Sequence, residues 1–254
     1  MSVTNENVPV VLITGAARGI GLAAARRFGG EGAKVLLVDR DKQALDTAMQ
    51  TIGEGTYHGH VLDITNPEAP QQLMELAADT VGPVSVLVNN AGVSPKRNGQ
   101  SSGLLEIDQS EWDVVMGVNL YATFRLCKAC IPGMQKRKWG RIINISSLAG
   151  RTKSIVAGAT YMASKAAVLG LTRSIAMEFG PAGITANSVA PGRVDTVMAN
   201  QGPANLNSEY AAQIPVRRLG TPDEVAAAIT FLASSEAGFI NGAVIDVNGG
   251  FFMP

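Results

Sequence analysis

Short apolar runs alternate with longer stretches of helical character along the chain. The runs are rich in Val and Ile and mostly continuous, which is typical of strands buried on both faces of a parallel sheet. Seven such runs are found: Val8–Thr14, Lys34–Asp39, Tyr57–Asp63, Val84–Asn89, Arg141–Ser146, Ile184–Ala190 and Ala243–Val247. Because helical stretches separate them in a repeating β-α order, the pattern predicts a doubly wound α/β fold.

Capping residues and helix breakers mark where the predicted helices begin and end. Asn66-Pro67 predicts one start, because asparagine caps a helix and proline suits its first turn. Capping boxes are predicted at Ser110–Asp113 and at Thr221–Glu224. The pair Gly180-Pro181 is expected to end the helix that contains Tyr161.

Composition narrows the class of protein. Apolar residues make up 46% of the chain and charged residues 17%, as in a globular protein. Lys+Arg and Asp+Glu both number 21, which disfavours nucleic-acid binding, and two cysteines and two histidines leave little for a metal site. No apolar run approaches the ~18 residues of a membrane span, and residues 1–8 lack the features of a secretory signal. With no repeat or linker, we expect one cytoplasmic domain over residues 1–254, bound to no membrane.

The first apolar run ends in a glycine-rich turn, T-G-A-A-R-G-I-G at residues 14–21, and an apolar helix follows. Glycine lets the backbone turn tightly and lets a pyrophosphate approach the helix N-terminus, where free N–H groups face the anion. A plain strand–helix connection is the alternative, but the place of the turn after the first strand favours dinucleotide binding. The candidate residues here are Gly15, Arg18, Gly19, Ile20 and Gly21.

Acidic residues close the second and third runs. Asp39 lies 24 positions after Gly15, where a carboxylate can accept hydrogen bonds from both hydroxyls of an adenosine ribose. This predicts NAD rather than NADP, because a carboxylate repels a 2′-phosphate. Arg18 and Arg40 are the opposing signal, and a helix cap is the alternative role for Asp39. Asp63 is placed to hold the adenine amino group or to cap a turn.

Taken together, the motifs resemble those of the short-chain dehydrogenase/reductase family over nearly the whole chain. They stand in the family's order: T-G-x-x-x-G-I-G from Thr14, N-N-A-G from Asn89, Y-x-x-x-K from Tyr161 and P-G from Pro191. The resemblance implies a seven-stranded parallel Rossmann sheet, a nicotinamide cofactor and a homotetramer. It also implies a set of residues that line the cofactor site: Asp63, Ile64, Asn90, Ala91, Gly92, Tyr161, Lys165, Pro191, Gly192, Val194 and Thr196.

Catalytic residues follow from one helical pair and from the resemblance. Tyr161 and Lys165 are four positions apart on a helix, so both point to one face, although such pairs are also common on helix surfaces. An ammonium near a phenol lowers the pKa of the phenol and makes it usable as an acid or base. The resemblance implies that Ser147 polarises the substrate oxygen and that Asn119 holds a water linking Lys165 to solvent. Tyr161 then exchanges a proton with that oxygen while hydride moves between cofactor and carbinol carbon.

Three functions remain open at this point. The favoured one is an NAD(H)-dependent oxidoreductase that interconverts a secondary alcohol or polyol and its ketone. The second is a 3-oxoacyl thioester reductase using NADPH, which Asp39 opposes and basic loop residues weakly favour. The third is a catalytically silent cofactor-binding scaffold, which the complete catalytic set disfavours. The small-molecule substrate itself is not revealed.

Other segments carry structural expectations. Residues 197–214 contain Gly202-Pro203 and few large apolar residues, so we expect a mobile substrate lid. Helices near Ser110–Met134 and Tyr161–Phe179 carry more small and apolar residues than one sheet face can cover, which favours a homotetramer with isologous contacts. Cys127 and Cys130 fall within a helix and are interpreted as buried or interfacial thiols.

Basic residues are also expected on the loops that ring the mouth of the site. Solvated loop charges are the preferred interpretation, and attraction of an anionic substrate or carrier protein is the alternative. The residues are Lys96, Arg97, Arg151, Lys153 and Arg193.

Overall fold

The computed structural model describes residues 8–203 and 205–254. Residues 1–7, part of the segment expected to lack a secretory signal, and residue 204, within the expected lid, lie outside the described residues. The strands are β1 (Val10–Thr14), β2 (Lys34–Asp39), β3 (Thr56–Val61), β4 (Val86–Asn89), β5 (Gly140–Ile145), β6 (Ile184–Pro191) and β7 (Val244–Val247). The helices are α1 (Gly19–Gly30), α2 (Lys42–Thr51), α3 (Ala69–Thr80), α4 (Gln109–Met116), α5 (Ala122–Arg137), α6 (Ala159–Phe179), α7 (Leu206–Gln213) and α8 (Pro222–Ala233).

These strands form one parallel sheet in the order β3-β2-β1-β4-β5-β6-β7. Strands β2 and β3 are added on one side of β1. The chain then crosses to the other side of β1, where β4 to β7 follow in order. At such a switch point the carboxyl ends of neighbouring strands leave a crevice that suits a ligand. The predicted seven-stranded parallel Rossmann sheet is therefore confirmed.

Alternate residues of β1 pack into the two layers that cover the sheet. Val11 and Ile13 join the core built with α1 and α8, and Leu12 joins the opposite core with residues of α3 and α5. This two-sided burial explains why the central strands are almost continuously apolar. At the edge of the sheet β3 is only half-buried, and it ends at Val61 rather than at the predicted Asp63.

Two of the predicted helix starts are wrong by a few residues. Helix α4 is capped by Asp108, whose Oδ1 accepts from the Glu111 N–H at 2.8 Å, so Ser110 lies inside the first turn. Asn66 instead closes a local turn by accepting from the Glu68 N–H at 3.0 Å, and helix α3 begins only at residue 69. At α4 two capping residues lie within a turn's length of the start and Asp108 is the one used, whereas at α3 the N-cap residue, Glu68, makes no side-chain cap.

The capping box of α8 is as predicted. The Thr221 hydroxyl accepts from the Glu224 N–H at 3.3 Å, and the Glu224 carboxylate accepts from the Thr221 N–H at 2.8 Å. Arg218 binds the same carboxylate, and its hydrogen bond is the main reason why the pKa of Glu224 is lowered to about 2. Two N–H groups at the helix start, those of Thr221 and Glu224, are thereby satisfied.

Helical hydrogen bonding continues from α4 through a π-helical turn, Gly117–Tyr121, into α5. The resulting run, Gln109–Arg137, has 29 residues and is long and apolar enough to cross a membrane. This helix is not the unbroken apolar run of about 18 residues that the sequence was searched for, because Asp113, Arg125 and Lys128 interrupt it. Leu126, Cys127 and Met134 of this run are buried against the sheet, so part of its apolar character belongs to the core.

Candidate active site

The glycine turn joins β1 to α1 at the crevice. Gly15 and Gly19 have φ values of +63° and +55°, which residues with a Cβ rarely adopt. At Gly21 the constraint is contact, because a Cβ would lie 2.3 Å from the Gly15 carbonyl oxygen. Helix α1 begins with no side-chain cap and no acidic residue in its first turn. Its first N–H groups are therefore suited to a phosphate, which fits a dinucleotide.

Asn90, just after β4, holds this turn in place. Its side-chain amide donates to the carbonyl oxygens of Thr14 and Gly15, at 3.0 and 2.8 Å. The Thr14 hydroxyl in return accepts from the backbone N–H groups of Asn90 and Ala91, both at 3.2 Å. These bonds fix the end of β4 against the end of β1, so the crevice has rigid walls.

Asp39 lies at the wall of the crevice and does not cap a helix. Its two carboxylate oxygens accept from the backbone N–H groups of Ala17 and Asp41, each at 3.1 Å. The cap of α2 is Asp41, which accepts from the Ala44 N–H at 3.0 Å and also pairs with Arg18. The Ala44 N–H and then the Arg18 guanidinium lower the pKa of Asp41. The alternative role of Asp39 as a helix cap is therefore wrong.

Asp63 is exposed and closes a turn. Its Oδ1 accepts from the N–H and the hydroxyl of Thr65, at 2.9 and 2.7 Å, and these bonds lower the pKa of the carboxyl. The residue nevertheless lines the crevice beside the buried Ile64. Both roles considered for it are thus compatible with its position.

A single cleft of about 920 Å³ runs along the carboxyl ends of the strands and collects most of the predicted site residues. Gly21 is buried below the glycine turn, and Asn119 lies behind Gly92, so neither reaches the cleft surface. The predicted residues that line the cleft are Gly15, Arg18, Gly19, Ile20, Asp39, Asp63, Ile64, Asn90, Ala91, Gly92, Ser147, Tyr161, Lys165, Pro191, Gly192, Val194 and Thr196.

Lys165 and Tyr161 lie one turn apart on α6, where both line the cleft. The Lys165 side chain is 3% exposed, and its Nζ donates to the Ile145 carbonyl oxygen at 2.7 Å. Burial lowers the pKa of Lys165 to about 8. The ammonium lies 5.8 Å from the centre of the Tyr161 ring. Burial raises the pKa of Tyr161, and the Ser147 hydroxyl acts in the opposite direction, so the phenol is protonated near neutral pH.

Ser147 follows β5 in an extended conformation and caps a short 3₁₀ turn, Leu148–Gly150. Its Oγ accepts from the Ala149 N–H at 3.1 Å, which leaves the hydroxyl proton free to donate to a substrate oxygen. The neighbouring Ser146 is buried and donates to the Lys165 carbonyl oxygen at 2.8 Å. These contacts set Ser147 at a fixed place relative to α6.

Asn119 occupies the π-helical turn between α4 and α5. Its Oδ1 accepts from the Val93 N–H at 2.8 Å, and its Nδ2 donates to the Val93 carbonyl and to the Ser164 hydroxyl, both at 3.0 Å. A Cβ on Gly92 would lie 3.3 Å from the Lys165 Nζ and 3.4 Å from the Asn119 Oδ1. Asn119 therefore lies on the inner side of the Lys165 ammonium; the water relay expected there stays a prediction.

Ser164 was missed by the sequence analysis. It is fully buried, accepts from Asn119 and donates to the Tyr161 carbonyl oxygen at 2.8 Å. It thus connects the asparagine to the helix that carries Tyr161. Its position directly before Lys165 was the only signal, and a helical serine by itself indicates nothing of this kind.

Comparisons with known proteins agree with this geometry. A family model described as enoyl-(acyl carrier protein) reductase matches residues 15–252. A 3-oxoacyl-[acyl-carrier-protein] reductase of Vibrio cholerae is 39% identical over 244 residues, which are 96% of this chain and 97% of the relative. The chain belongs to the short-chain dehydrogenase/reductase family.

Other members of this family give a consistent picture. The short-chain reductase protein NovJ of Streptomyces niveus is 39% identical over 261 residues, covering 98% of this chain and 95% of the relative. The crystal structure of a 3-oxoacyl-[acyl-carrier protein] reductase with bound NAD from Brucella melitensis has a TM-score of 0.89 and 37% identity, and it covers 97% of this chain and 92% of that one. The chain is accordingly an oxidoreductase of the short-chain family that acts on a CH–OH group or the matching ketone.

The two cysteines and the basic loop residues of this short-chain oxidoreductase have different surroundings. Cys127 and Cys130 are buried free thiols, as expected, and burial raises the pKa of Cys127 to about 12. The basic loop residues differ from one another. Arg97 is exposed and pairs with Asp108 at 3.0 Å. Lys96 and Arg193 are half-buried, and Arg151 is half-buried and pairs with Asp246 at 3.4 Å, so the interpretation as solvated charges is wrong for those three.

Replacing Lys165 by methionine should change how stability depends on pH. Between about pH 8 and 10.5 the unfolded chain holds a proton on this lysine that the folded chain has lost. The free energy of unfolding of the wild type should therefore rise by about 2 kcal/mol more than that of Lys165→Met between about pH 7.5 and 9.5. Urea unfolding of the cofactor-free proteins at the two pH values measures this difference. Lys128→Met, the same change at an exposed helical lysine, is the control, and parallel pH profiles for Lys165→Met and wild type would contradict the prediction.

Proposed function

We propose that this chain reduces the ketone of 3-oxoacyl thioesters to the secondary alcohol with NADH, and that the same site runs in reverse with NAD⁺. The observation that carries the proposal is the meeting of Tyr161, Ser147 and Lys165 at one cleft with the glycine turn. The V. cholerae and B. melitensis relatives, both named as 3-oxoacyl-[acyl-carrier-protein] reductases, support the thioester class. The free thiols of the chain suit the reducing cytoplasm, where we place the reaction.

The residues of the cleft fit a nicotinamide dinucleotide. The glycine turn and the uncapped start of α1 would hold the pyrophosphate, Asp39 the adenosine ribose, and Pro191 to Thr196 the carboxamide end. The bound cofactor supplies hydride to the carbonyl carbon, or accepts it in the reverse direction. Lys165 would bind the nicotinamide ribose through its ammonium.

The chain's own groups handle the proton. Tyr161, protonated near neutral pH, gives its phenolic proton to the carbonyl oxygen as the C–O double bond becomes a single bond. The free hydroxyl proton of Ser147 donates to the same oxygen and stabilises its developing negative charge. The ammonium of Lys165 stabilises the phenolate that remains. The proton that Tyr161 gives up is replaced along the side of Lys165 on which Asn119 lies.

Tyr161→Phe should bind NADH like the wild type and lose turnover by roughly 10²–10⁴-fold, because only the proton donor is removed. Steady-state NADH oxidation with the N-acetylcysteamine thioester of acetoacetate measures the loss, and fluorescence titration measures cofactor binding. Near-wild-type turnover of the variant would contradict the mechanism.

The substrate class is tested with the wild type, which is assayed on the same acetoacetyl thioester, on the crotonyl thioester and on simple secondary alcohols. Reduction of the crotonyl double bond alone, or activity on alcohols alone, would overturn the thioester-ketone proposal.

The proposed preference for NAD(H) rests on the positions of three charged side chains near the expected site of the adenosine ribose: Asp39, Arg18 and Arg40. Asp39 keeps a carboxylate at the cleft wall, and the guanidinium of Arg18, which also lines the cleft, is paired with Asp41. Arg40 lines the cleft but is exposed, so its charge is screened. A 2′-phosphate would therefore meet Asp39 before it meets a free guanidinium. This arrangement favours NAD(H) over NADP(H).

Asp39→Ala should narrow the gap in kcat/KM between NADH and NADPH by about ten-fold or more. The reason is that the repulsion of the 2′-phosphate and the hydrogen bonds to the ribose hydroxyls are both lost. Asp46→Ala, which removes an exposed carboxylate on the outside of α2, should leave the ratio unchanged. A wild-type preference for NADPH, or an unchanged ratio in Asp39→Ala, would contradict this assignment.

We also propose that residues 197–214 close over bound substrate. The described part of this segment contributes Val197, Met198 and Tyr210 to the cleft wall, and Tyr210 stacks on Phe251 of the C-terminal tail at 4.8 Å. Hydrogen exchange of this segment should slow when NADH and a substrate analogue are both bound. Equal and strong protection with and without ligands would rule out closure.

The remaining proposal is a homotetramer. Trp112, Tyr121 and Phe124 are exposed on the α4–α5 run, and the rings of Tyr121 and Phe124 stack with centroids 6.2 Å apart. Exposed apolar surfaces of this kind are typical of subunit contacts, and self-association of one face gives isologous pairs. Light scattering of the purified protein at micromolar concentration should give the mass of four chains, and a monomer would refute it.

A further inference from the structure

A second cavity, of about 520 Å³, opens beside the catalytic cleft. The two cavities share part of their walls, including Lys96, Arg193, Ser154 and Met198. The lysine and the arginine are the charged side chains among the shared residues of the described chain. A group bound at the catalytic serine and tyrosine that extends into the second cavity must pass these two cations.

Lys96 is half-buried and directed by its neighbours. Its Nζ donates to the Ser101 hydroxyl at 2.7 Å and to the Val156 carbonyl oxygen. An ammonium has three protons, so one donor remains for another acceptor. Burial lowers the pKa of Lys96, and the nearby positive charge of Arg193 lowers it further. Two like charges therefore lie close together where water is only partly available.

Arg193 is oriented just as firmly. Its Nε donates to the Asn207 side chain at 2.9 Å and one Nη2 proton goes to the Ala199 carbonyl at 2.6 Å. The guanidinium lies 5.7 Å from the centre of the Tyr210 ring. These contacts use two of the five N–H donors, and the others are left for a ligand. All the acceptors mentioned are neutral, so none of them compensates the charge.

No carboxylate lies within 4.0 Å of either cation in the described part of the chain. The acidic residues that line the main cleft, Asp39 and Asp63, belong to its adenosine end, and the described lining of the second cavity contains none. Burying two like charges without a counterion costs free energy that a bound anion would recover.

We propose that Lys96 and Arg193 form a subsite for an oxyanion carried by the substrate, at the junction of the catalytic cleft and the second cavity. The inference deepens the proposed function and rests on it, since it uses the same cleft. Two groups of a substrate could supply this oxyanion: the phosphate of a pantetheine arm, or a carboxylate at the far end of the substrate chain. The pair would direct either group away from the adenosine end and orient the ketone toward Ser147 and Tyr161.

Two matched pairs of compounds test the subsite. Acetoacetyl-pantetheine and its 4′-phosphate differ only in a phosphate, and dimethyl 3-oxoadipate and its 1-methyl monoester differ only in a carboxylate. Binding is measured by calorimetry to Tyr161→Phe saturated with NADH, so the result does not depend on turnover. The charged member of one pair should bind about ten-fold or more tightly than its neutral partner, as expected for charge-assisted hydrogen bonds. The pair that shows the difference identifies the source of the anion.

Substitutions then assign the difference to the two cations. In the same Tyr161→Phe background, Lys96→Met and Arg193→Gln should each weaken binding of the charged compound by about ten-fold and leave the neutral one within about two-fold. Arg97→Gln is the control, because it removes a positive charge from the same loop at a residue that lines neither cavity. It should change neither compound.

The outcomes separate this proposal from the proposed function. Equal binding of charged and neutral members in both pairs overturns the subsite even if wild-type enzyme reduces 3-oxoacyl thioesters. Selective binding that is lost in the two variants supports the subsite even if thioester reduction fails. Loss of the neutral compound together with the charged one assigns Lys96 and Arg193 a structural role and overturns the subsite, as does an equal effect of Arg97→Gln.

Discussion

The buried ammonium of Lys165 is the interaction on which the rest of the site depends. It is almost fully enclosed and donates to a neutral backbone carbonyl, and no carboxylate lies within 4.0 Å of it in the described chain. A charge in that position lowers the stability of the free protein, which is visible in the depressed pKa of the lysine. In the mechanism proposed above, this charge becomes favourable when negative charge develops on the neighbouring phenol. The proposal therefore explains why the chain keeps a destabilising buried charge at this position.

A buried charge can stabilise a neighbouring group only if its position is fixed, and several contacts with neutral groups fix the position of Lys165. The Lys165 carbonyl accepts from the Ser146 hydroxyl, and a Cβ on Gly150 would lie 2.7 Å from the same carbonyl carbon. The loop that carries Ser147 is thus in direct backbone contact with α6. Ser164 completes the frame on the other side by joining the Tyr161 carbonyl to Asn119. The positions of Tyr161, Ser147 and Lys165 relative to one another are thus set largely by contacts between their backbones and neighbouring residues.

A buried polar chain ties this frame to the sheet. The side chains of Asn89 and Asn144, neighbours in register on β4 and β5, share a hydrogen bond of 2.8 Å. Asn144 continues to Thr172 of α6 at 2.9 Å, and Thr172 meets Ser188 of β6 at 2.8 Å. A polar network inside an apolar core specifies one arrangement of its elements, because any slip leaves donors unpaired. Helix α6 is thereby fixed relative to the strand ends that form the cleft.

The parts of this protein that follow local rules were determined by the sequence. The strand runs, the glycine turn and the Tyr161–Lys165 spacing depend on residues a few positions apart, and the structure places them as predicted. The resemblance to the family added Ser147 and Asn119, and the partners of Asn119, Val93 and Ser164, lie 26 and 45 positions away along the chain. Only the tertiary structure decided that Asp41 rather than Asp39 caps α2 and engages Arg18.

The same holds for Ser164 and for the half-buried pair Lys96 and Arg193. Their environments are set by contacts between segments that are tens of residues apart, such as the 45 positions between Asn119 and Ser164 and the 60 between Lys96 and Val156. Whether a charged side chain is solvated or enclosed depends on which loops meet around it, and no periodicity or short motif encodes that meeting.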